Sequence, residues 1–308
     1  MFFSVFANRK EQAVGKGTGR ATVIGLIAIG LWSALALSTV AAAGIPPFEL
    51  LALSFGVAFA SGMLVLTMQG RRALAKLRQP PGAWLLAFVS IFFFHALYFF
   101  ALAAVPPAHA SLIAYLWPLL IVLLSAFVPG GDSLRPRHLA GAALGFAGAA
   151  LIFMTRQGGP AQPAHMAGYL AALGCAAIWS GYSVANRRYA QVPSEMLIGV
   201  CGAVALAGGA AHRVFERGVA PDPTQWLAIL FLGIGPTGLA FLAWDHATKH
   251  GNVPLLGALS YFAPLISILL LVLAGQAQAS VFLGVSVALI VAGAMLASYR
   301  PRKNAIVK

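Results

Sequence analysis

A single histidine sits inside an aromatic run, "FFFHALYFF" at 92–100, and no Asp, Glu, Lys or Arg occurs between Gly82 and Tyr115. A catalytic imidazole needs a proton-transfer partner, and a metal site needs further ligands within reach. His95 has neither in its own segment, so the chemistry open to it is hydrogen bonding and titration near neutral pH. Two other stretches set aromatic residues around an interior proline: "YLWPLLIVLL" at 115–124 and "YFAPLISILL" at 261–270. A third, "IWSGYSV" at 178–184, carries Trp179, Ser180 and Tyr182. Rings offer stacking, edge-to-face contacts and a face for an ammonium group. A proline inside a helix leaves a backbone carbonyl without its helical donor. Rings, one imidazole, hydroxyls and open carbonyls suit the non-covalent holding of a small amphipathic solute.

Two other stretches look like chemistry and are discounted. "GKGTGR" at 15–20 is glycine-rich and basic but lacks the spacing of a phosphate-binding loop. "DHATKH" places His246 and His250 one turn apart beside Asp245, a spacing that can hold metal on a helix face. At the end of an apolar helix it reads as ordinary surface polarity. No metal set and no cofactor follows, and no nucleophile–base pair emerges to make the chain an enzyme. Cys175 and Cys201 lie in apolar stretches and read as small packing residues rather than a disulfide.

The elements that must carry these residues are set by composition. The chain has 308 residues, 60% hydrophobic and 9% charged. Soluble domains are about 25% charged, so most of this surface must face lipid. A membrane helix needs roughly 20 apolar residues. Ten such runs are predicted, at about 22–43, 46–68, 83–104, 106–128, 138–155, 166–188, 194–215, 226–248, 253–273 and 280–299. The net charge of +13 could point to nucleic acid, but its placement points elsewhere. With the N-terminus in the cytoplasm, only Arg156, Arg213 and Arg217 of the 20 basic residues fall in outer segments. That is the positive-inside pattern, with both termini cytoplasmic, and it explains the charge without a nucleic-acid partner. The first twenty residues are followed by a full-length span rather than a short apolar core with a cleavage site, so they read as a tail and not a signal peptide.

The proline-centred stretches belong to a longer register. Tyr115, Pro118 and Leu119 recur in frame as Tyr261, Pro264 and Leu265, and Trp32–Ser33 of "LWSALAL" recurs as Trp179–Ser180. The expected organisation is a tail at 1–21, a five-helix repeat at 22–155, a second at 166–299 and a tail at 300–308. Five spans is an odd number, so the second repeat enters the membrane from the opposite side. Inverted repeats with a site between them near the midplane are a transporter signature.

With "WS" at 32–33 and 179–180, "ASLIAYLWPLLIVLLSAF" at 110–127 and "LLGALSYFAPLISILL" at 255–270, the chain resembles the drug/metabolite transporter superfamily and its EamA-type exporters. Each half also ends in a Gly/Ala-rich fifth span. The family's acidic residue after the proline-containing span is matched by Asp132 in the first half and by nothing in "AGQAQAS" of the second. The His and Trp pattern of spans three and four is similar to that of the aromatic amino acid exporters among them. The resemblance implies a monomeric multi-pass carrier of the bacterial inner membrane. It would export amino acids, aromatic ones preferred, by alternating access. The other readings are export of a different metabolite or drug, and a passive channel.

His95, Trp117 and Trp179 fall near the middle of their spans, at about 1.5 Å per residue. An ionisable or indole side chain at that depth belongs in the bundle interior. These three, with Tyr98, Tyr115, Tyr182, Tyr261, Ser33 and Ser180, are the expected substrate contacts, and Trp32 is a weaker one. Pro118 and Pro264 are the expected hinges or gates. No Lys or Arg lies at mid-depth, so a sugar phosphate or nucleotide fits poorly. No carboxylate lies there either, so transport down the substrate's own gradient is the simplest mechanism. Single cysteines at Gly158 and Gly218 are expected to react with an impermeant thiol reagent from outside. Those at Gln79 and Gly251 are expected to react only once the inner face is opened. Reaction of the Gln79 label from outside contradicts the orientation.

Overall fold

The computed structural model describes residues 19–125, 136–154, 163–189, 191–250, 259–260 and 262–299. All regular structure among these residues is helical. The helices are α1 (Gly19–Ala41), α2 (Pro47–Met68), α3 (Pro81–Ala104), and α4 in two segments (Pro107–Ala114 and Trp117–Ser125). They continue with α5 (Pro136–Met154), α6 (Pro163–Ala185), α7 (Met196–Phe215) and α8 (Pro223–Ile234, then Ala240–His250), and end with α9 (Phe262–Leu273) and α10 (Val281–Ser298). Of these, α1, α2, α3, α7 and α8 as far as Ala247 are long and apolar enough to cross a membrane.

Prolines punctuate the chain where helices start. Three Pro–Pro pairs, at 46–47, 80–81 and 106–107, each place the second proline at the first helical position. There its missing N–H would have had no helical partner, and its fixed φ favours the turn. Asp222 caps α8 by accepting from the backbone N–H groups of Thr224 and Gln225, in a capping box with Gln225. Ser280 caps α10 through Leu283 N–H. The start of α2 is capped from a distance. The carboxylate of Glu216, just beyond α7, accepts from Phe48 N–H (2.9 Å) and Glu49 N–H (3.0 Å), while His212 Nδ1 lies 2.9 Å from it. At the other end of the same helix pair, Lys76 meets Glu195 at 2.6 Å.

Among the described residues, three interruptions fall inside helices. Near the middle of α1 the regular turn is lost at Ala34, whose N–H bonds Leu31 three residues back. The helix expected over 106–128 is two segments, with a turn at Tyr115–Leu116 immediately before Trp117–Pro118. In α8 the glycine–proline sequence "GPTGL" forms a π-helical turn, Gly235–Leu239. Pro236 cannot donate to the carbonyl of Leu232, and the Thr237 hydroxyl donates to it instead, at 2.8 Å. The sequence reading took span eight as uninterrupted.

The most extensive helix contacts are α5 with α10, α2 with α7, and α3 with α6; α8 lies against α1 and α2, and α9 against α4 and α1. Small residues bring the backbones together, as lipid-embedded packing requires. A Cβ on Gly293 of α10 would lie 2.5 Å from the Gly141 carbonyl and 2.8 Å from Gly145 N, both backbone atoms of α5 that cannot step aside. A Cβ on Gly284 of the same helix would meet nothing within 4 Å. Gly293→Ala is therefore expected to cost about 1–3 kcal/mol and to lower the apparent melting midpoint in detergent by several degrees. Gly284→Ala should leave it unchanged or slightly raised. Equal midpoints for the two variants would show that α5 and α10 do not approach this closely.

Candidate functional site

Trp32 gathers the site. Its indole N–H donates to the carbonyl of Pro236 in the π-helical turn of α8, at 3.1 Å. Its own carbonyl, beside the interruption in α1, accepts from the Tyr115 hydroxyl of α4 at 3.2 Å. Its ring meets Trp179 edge-on (centroids 5.6 Å apart), Phe241 (5.8 Å) and Trp244 (5.3 Å). Trp179 in turn packs on Phe94 (5.6 Å), Tyr182 (5.2 Å) and Phe241 (5.6 Å). Trp117 reaches the group through Trp244, at 6.3 Å. Helices α1, α3, α4, α6 and α8 thus each place at least one ring in one continuous aromatic cluster.

The cluster walls a cavity lined by Ile29, Trp32, Leu35, Phe94, His95, Tyr98, Ser111, Ala114, Tyr115, Trp117, Trp179, Phe241, Ser260 and Ala263. No Asp, Glu, Lys or Arg is among these lining residues. The space is small: the centre of a water-sized sphere can occupy about 50 Å³ of it. That is room for a few waters, whereas small-molecule pockets run to roughly 300–1,000 Å³. His95 is 1% exposed and ringed by Phe55 (4.8 Å), Phe94 (5.0 Å), Phe99 (5.8 Å) and Phe241 (5.7 Å). Its Nδ1 lies 3.0 Å from the carbonyl of Ile91. A carbonyl only accepts, so Nδ1 carries the proton and, in the neutral ring, Nε2 holds the lone pair.

Of the residues singled out from sequence, His95, Tyr98, Tyr115, Trp117 and Trp179 line this cavity. Tyr182 is buried behind Trp179 and supports its ring. Ser33 and Ser180 are fully buried and donate to carbonyls of their own helices, Ile29 (2.7 Å) and Ala176 (2.7 Å). They do not line the cavity. Tyr261 lies outside the described residues, as do Asp132 and most of the segment between α8 and α9.

Pro118 and Pro264 are both buried. Each removes a helical donor from a carbonyl four residues back, those of Ala114 and Ser260, and both of these residues line the cavity. Residues not singled out are Phe94, Ser111, Phe241 and Ser260, and Trp32 carries more than its weak expectation. A legible signal for Phe241 was the glycine–proline break one turn earlier in an otherwise apolar span. Asp245 also differs from the surface polarity expected of it: it is 7% exposed and accepts a hydrogen bond from Ser194.

The sequence matches the description of the EamA-like transporter family twice, over residues 20–154 and 166–299. The chain belongs to that family. It is 49% identical to the aromatic amino acid exporter YddG of Ancylobacter novellus over 92% of this chain and 98% of that protein. It is 27% identical to the aromatic amino acid exporter YddG of Salmonella typhimurium, over 80% of this chain and 86% of the relative. A solved crystal structure at 49% identity superposes with a TM-score of 0.73, covering 91% of this chain and 96% of the other. Membership of a transporter family fits a cavity lined by rings and an imidazole.

Proposed function

We propose that this chain exports aromatic amino acids across the bacterial inner membrane, by alternating access through the aromatic cavity. The observation that carries the reading is the cavity wall itself. Trp32, Phe94, Trp179 and Phe241 line the space together with a single imidazole, and no fixed charge is among its described lining residues. The names of the relatives at 49% and 27% identity support the same substrate class. Ring faces accept an aromatic side chain by stacking or edge contact, and an ammonium group by cation–π attraction. With its Nδ1 proton committed to Ile91, His95 offers Nε2 as an acceptor for that ammonium group.

In this reading the chain is a monomer of ten spans in two inverted five-helix repeats, 22–155 and 166–299, with both termini cytoplasmic. The double family match supports the repeat. So does the packing of the main helix pairs, because adding five to each helix number maps these pairs onto one another. The pairs α2–α7, α5–α10 and α4–α9 return unchanged, and α3–α6 exchanges with α8–α1. A twofold relation between the halves produces that pattern. The one-sided distribution of Lys and Arg supports the orientation. The interruptions at Ala34, Tyr115–Leu116 and Gly235–Leu239 each include or lie within two residues of a cavity-lining position, where the helices can bend about the substrate. On this reading the space widens when an aromatic side chain enters it.

Exchange of labelled tryptophan in proteoliposomes tests the reading. Unlabelled tryptophan, phenylalanine and tyrosine are expected to compete strongly, small aliphatic amino acids weakly, and drug-like amines least. Preloaded substrate should drive counterflow, which a channel cannot do. Aromatic pairs contribute about 0.5–1.5 kcal/mol beyond burial, so Trp179→Ala should weaken apparent affinity for tryptophan by a few-fold to roughly tenfold. Its effect on small amino acids should be less. His95→Ala should weaken all amino acid substrates alike. Size-exclusion elution checks folding. Competition led by a non-amino-acid amine assigns another substrate class, and normal transport by both folded variants removes the cavity as the site.

A further inference from the structure

A second, larger hollow lies next to the aromatic cavity, with about 260 Å³ open to water-sized spheres. Its wall includes Thr39, Leu50, Phe99, Leu102 and Pro107, and it reaches the surface at the exposed residues Ala43, Gly44 and Ala103. Three helices contribute to both spaces, each with residues one turn apart. Leu35 of α1, Tyr98 of α3 and Ser111 of α4 line the cavity; Thr39, Leu102 and Pro107, four positions away, line the hollow. In every case the step runs toward the end of the molecule where α1 and α3 finish and α2 and α4 begin. The hollow is thus the continuation of the cavity to that end, about one helical turn further out.

What separates them is small. Phe99, 2% exposed, fills the boundary, with its ring 5.8 Å from that of His95 and its other side in the hollow. Tyr98 and Ser111 share a hydrogen bond of 3.1 Å between α3 and α4 at the cavity rim. The pieces beyond this level are short. Leu35–Ala41 follows the interruption at Ala34, and Pro107–Ala114 ends at the turn before Trp117 and Pro118. Each can swing on its own break without unwinding a full span.

We propose that Phe99 is the gate between the substrate cavity and this vestibule, latched by the Tyr98–Ser111 hydrogen bond. The aromatic amino acid passes through the gate when the outer segments of α1 and α4 move away from α3. The proposal rests on the cavity being the substrate site, as read above, and its test separates the two. In a chain with Cys175→Ala and Cys201→Ala, single reporter cysteines replace Ala103 in the vestibule or Ala114 in the cavity. An impermeant thiol reagent is applied from the side of residues 42–46.

Ala103→Cys should react quickly whatever the gate. A closed gate whose open form is populated at about 10% or less makes Ala114→Cys roughly tenfold slower or more. Phe99→Ala, Tyr98→Phe and Ser111→Ala should each accelerate it several-fold. The Tyr98→Phe/Ser111→Ala double variant should be no faster than either single one, because one bond is lost in all three. Tyr98→Phe removes a single oxygen and keeps the ring, so it reports even if Phe99→Ala folds poorly. Equal rates at the two positions with Tyr98, Phe99 and Ser111 intact, or rates at Ala114→Cys that ignore every gate substitution, overturn the gate. Saturating tryptophan should protect Ala114→Cys. If the gate effects persist without that protection, the gate stands and the substrate assignment falls.

Discussion

Hydrocarbon offers no hydrogen-bond partner, so every backbone group inside the bilayer must find one in the protein or in a water-filled space. That constraint explains where this chain is irregular. Prolines at helix starts are harmless, and the Pro–Pro pairs use them there. Among the described residues, prolines within helices fall where something else answers the lost bond or where the backbone meets the cavity. At Pro236 the Thr237 hydroxyl serves the Leu232 carbonyl, and the Trp32 indole serves the carbonyl of Pro236 itself. At Pro118 and Pro264 the affected carbonyls belong to cavity-lining residues. Irregular backbone and aromatic wall are therefore one feature: the breaks turn the helices aside, and the rings fill the space this opens.

The same constraint separates what the sequence discloses from what it hides. Apolar runs of membrane length and an imbalance of charge are one-dimensional quantities, so the helical character and the mid-span location of His95, Trp117 and Trp179 could be read directly. The repeated proline frame pointed to Pro118 and Pro264 for the same reason. Phe241 and Ser111 could not be read that way. Among 20 phenylalanines in a 60% hydrophobic chain, only three-dimensional packing distinguishes the one that faces Trp32 and His95 from those that face lipid, such as Phe282. Ser33 and Ser180 differ in the other direction. Their repeat marks them out, but a serine in an apolar helix can satisfy itself on the carbonyl one turn back, and both do. Neither the burial of Asp245, read from sequence as surface polarity, nor the contact made by Glu216 is written in its sequence neighbours, because both are made across the bundle. One is covered near the end of α8, and the other caps α2 by accepting from Glu49 N–H, 167 residues away in sequence.

The clamps at the two ends of α2 and α7, and the glycine contacts between α5 and α10, join the helices that pair most extensively. The breaks in α1, α4 and α8 lie elsewhere, around the cavity. Close packing and helix breaks are thus found in different parts of the bundle, and on the proposed function the packed pairs would hold the fold while the broken helices bend about the central site. The division also explains why so few polar atoms are found at the centre. Rings can be repacked between two arrangements at small cost, whereas a buried charge pair would bind the helices to one of them.

Photolabelling tests most directly whether this aromatic space takes the substrate. A phenylalanine bearing a small diazirine on its ring is bound to the folded protein in proteoliposomes and irradiated, and the modified residues are located by mass spectrometry. Adducts are expected on Phe94, Trp179 or Phe241, and excess tryptophan should abolish them. Adducts confined to lipid-facing residues such as Leu227 or Phe282, or cavity adducts that excess tryptophan leaves unchanged, would contradict the cavity as the place where the substrate binds.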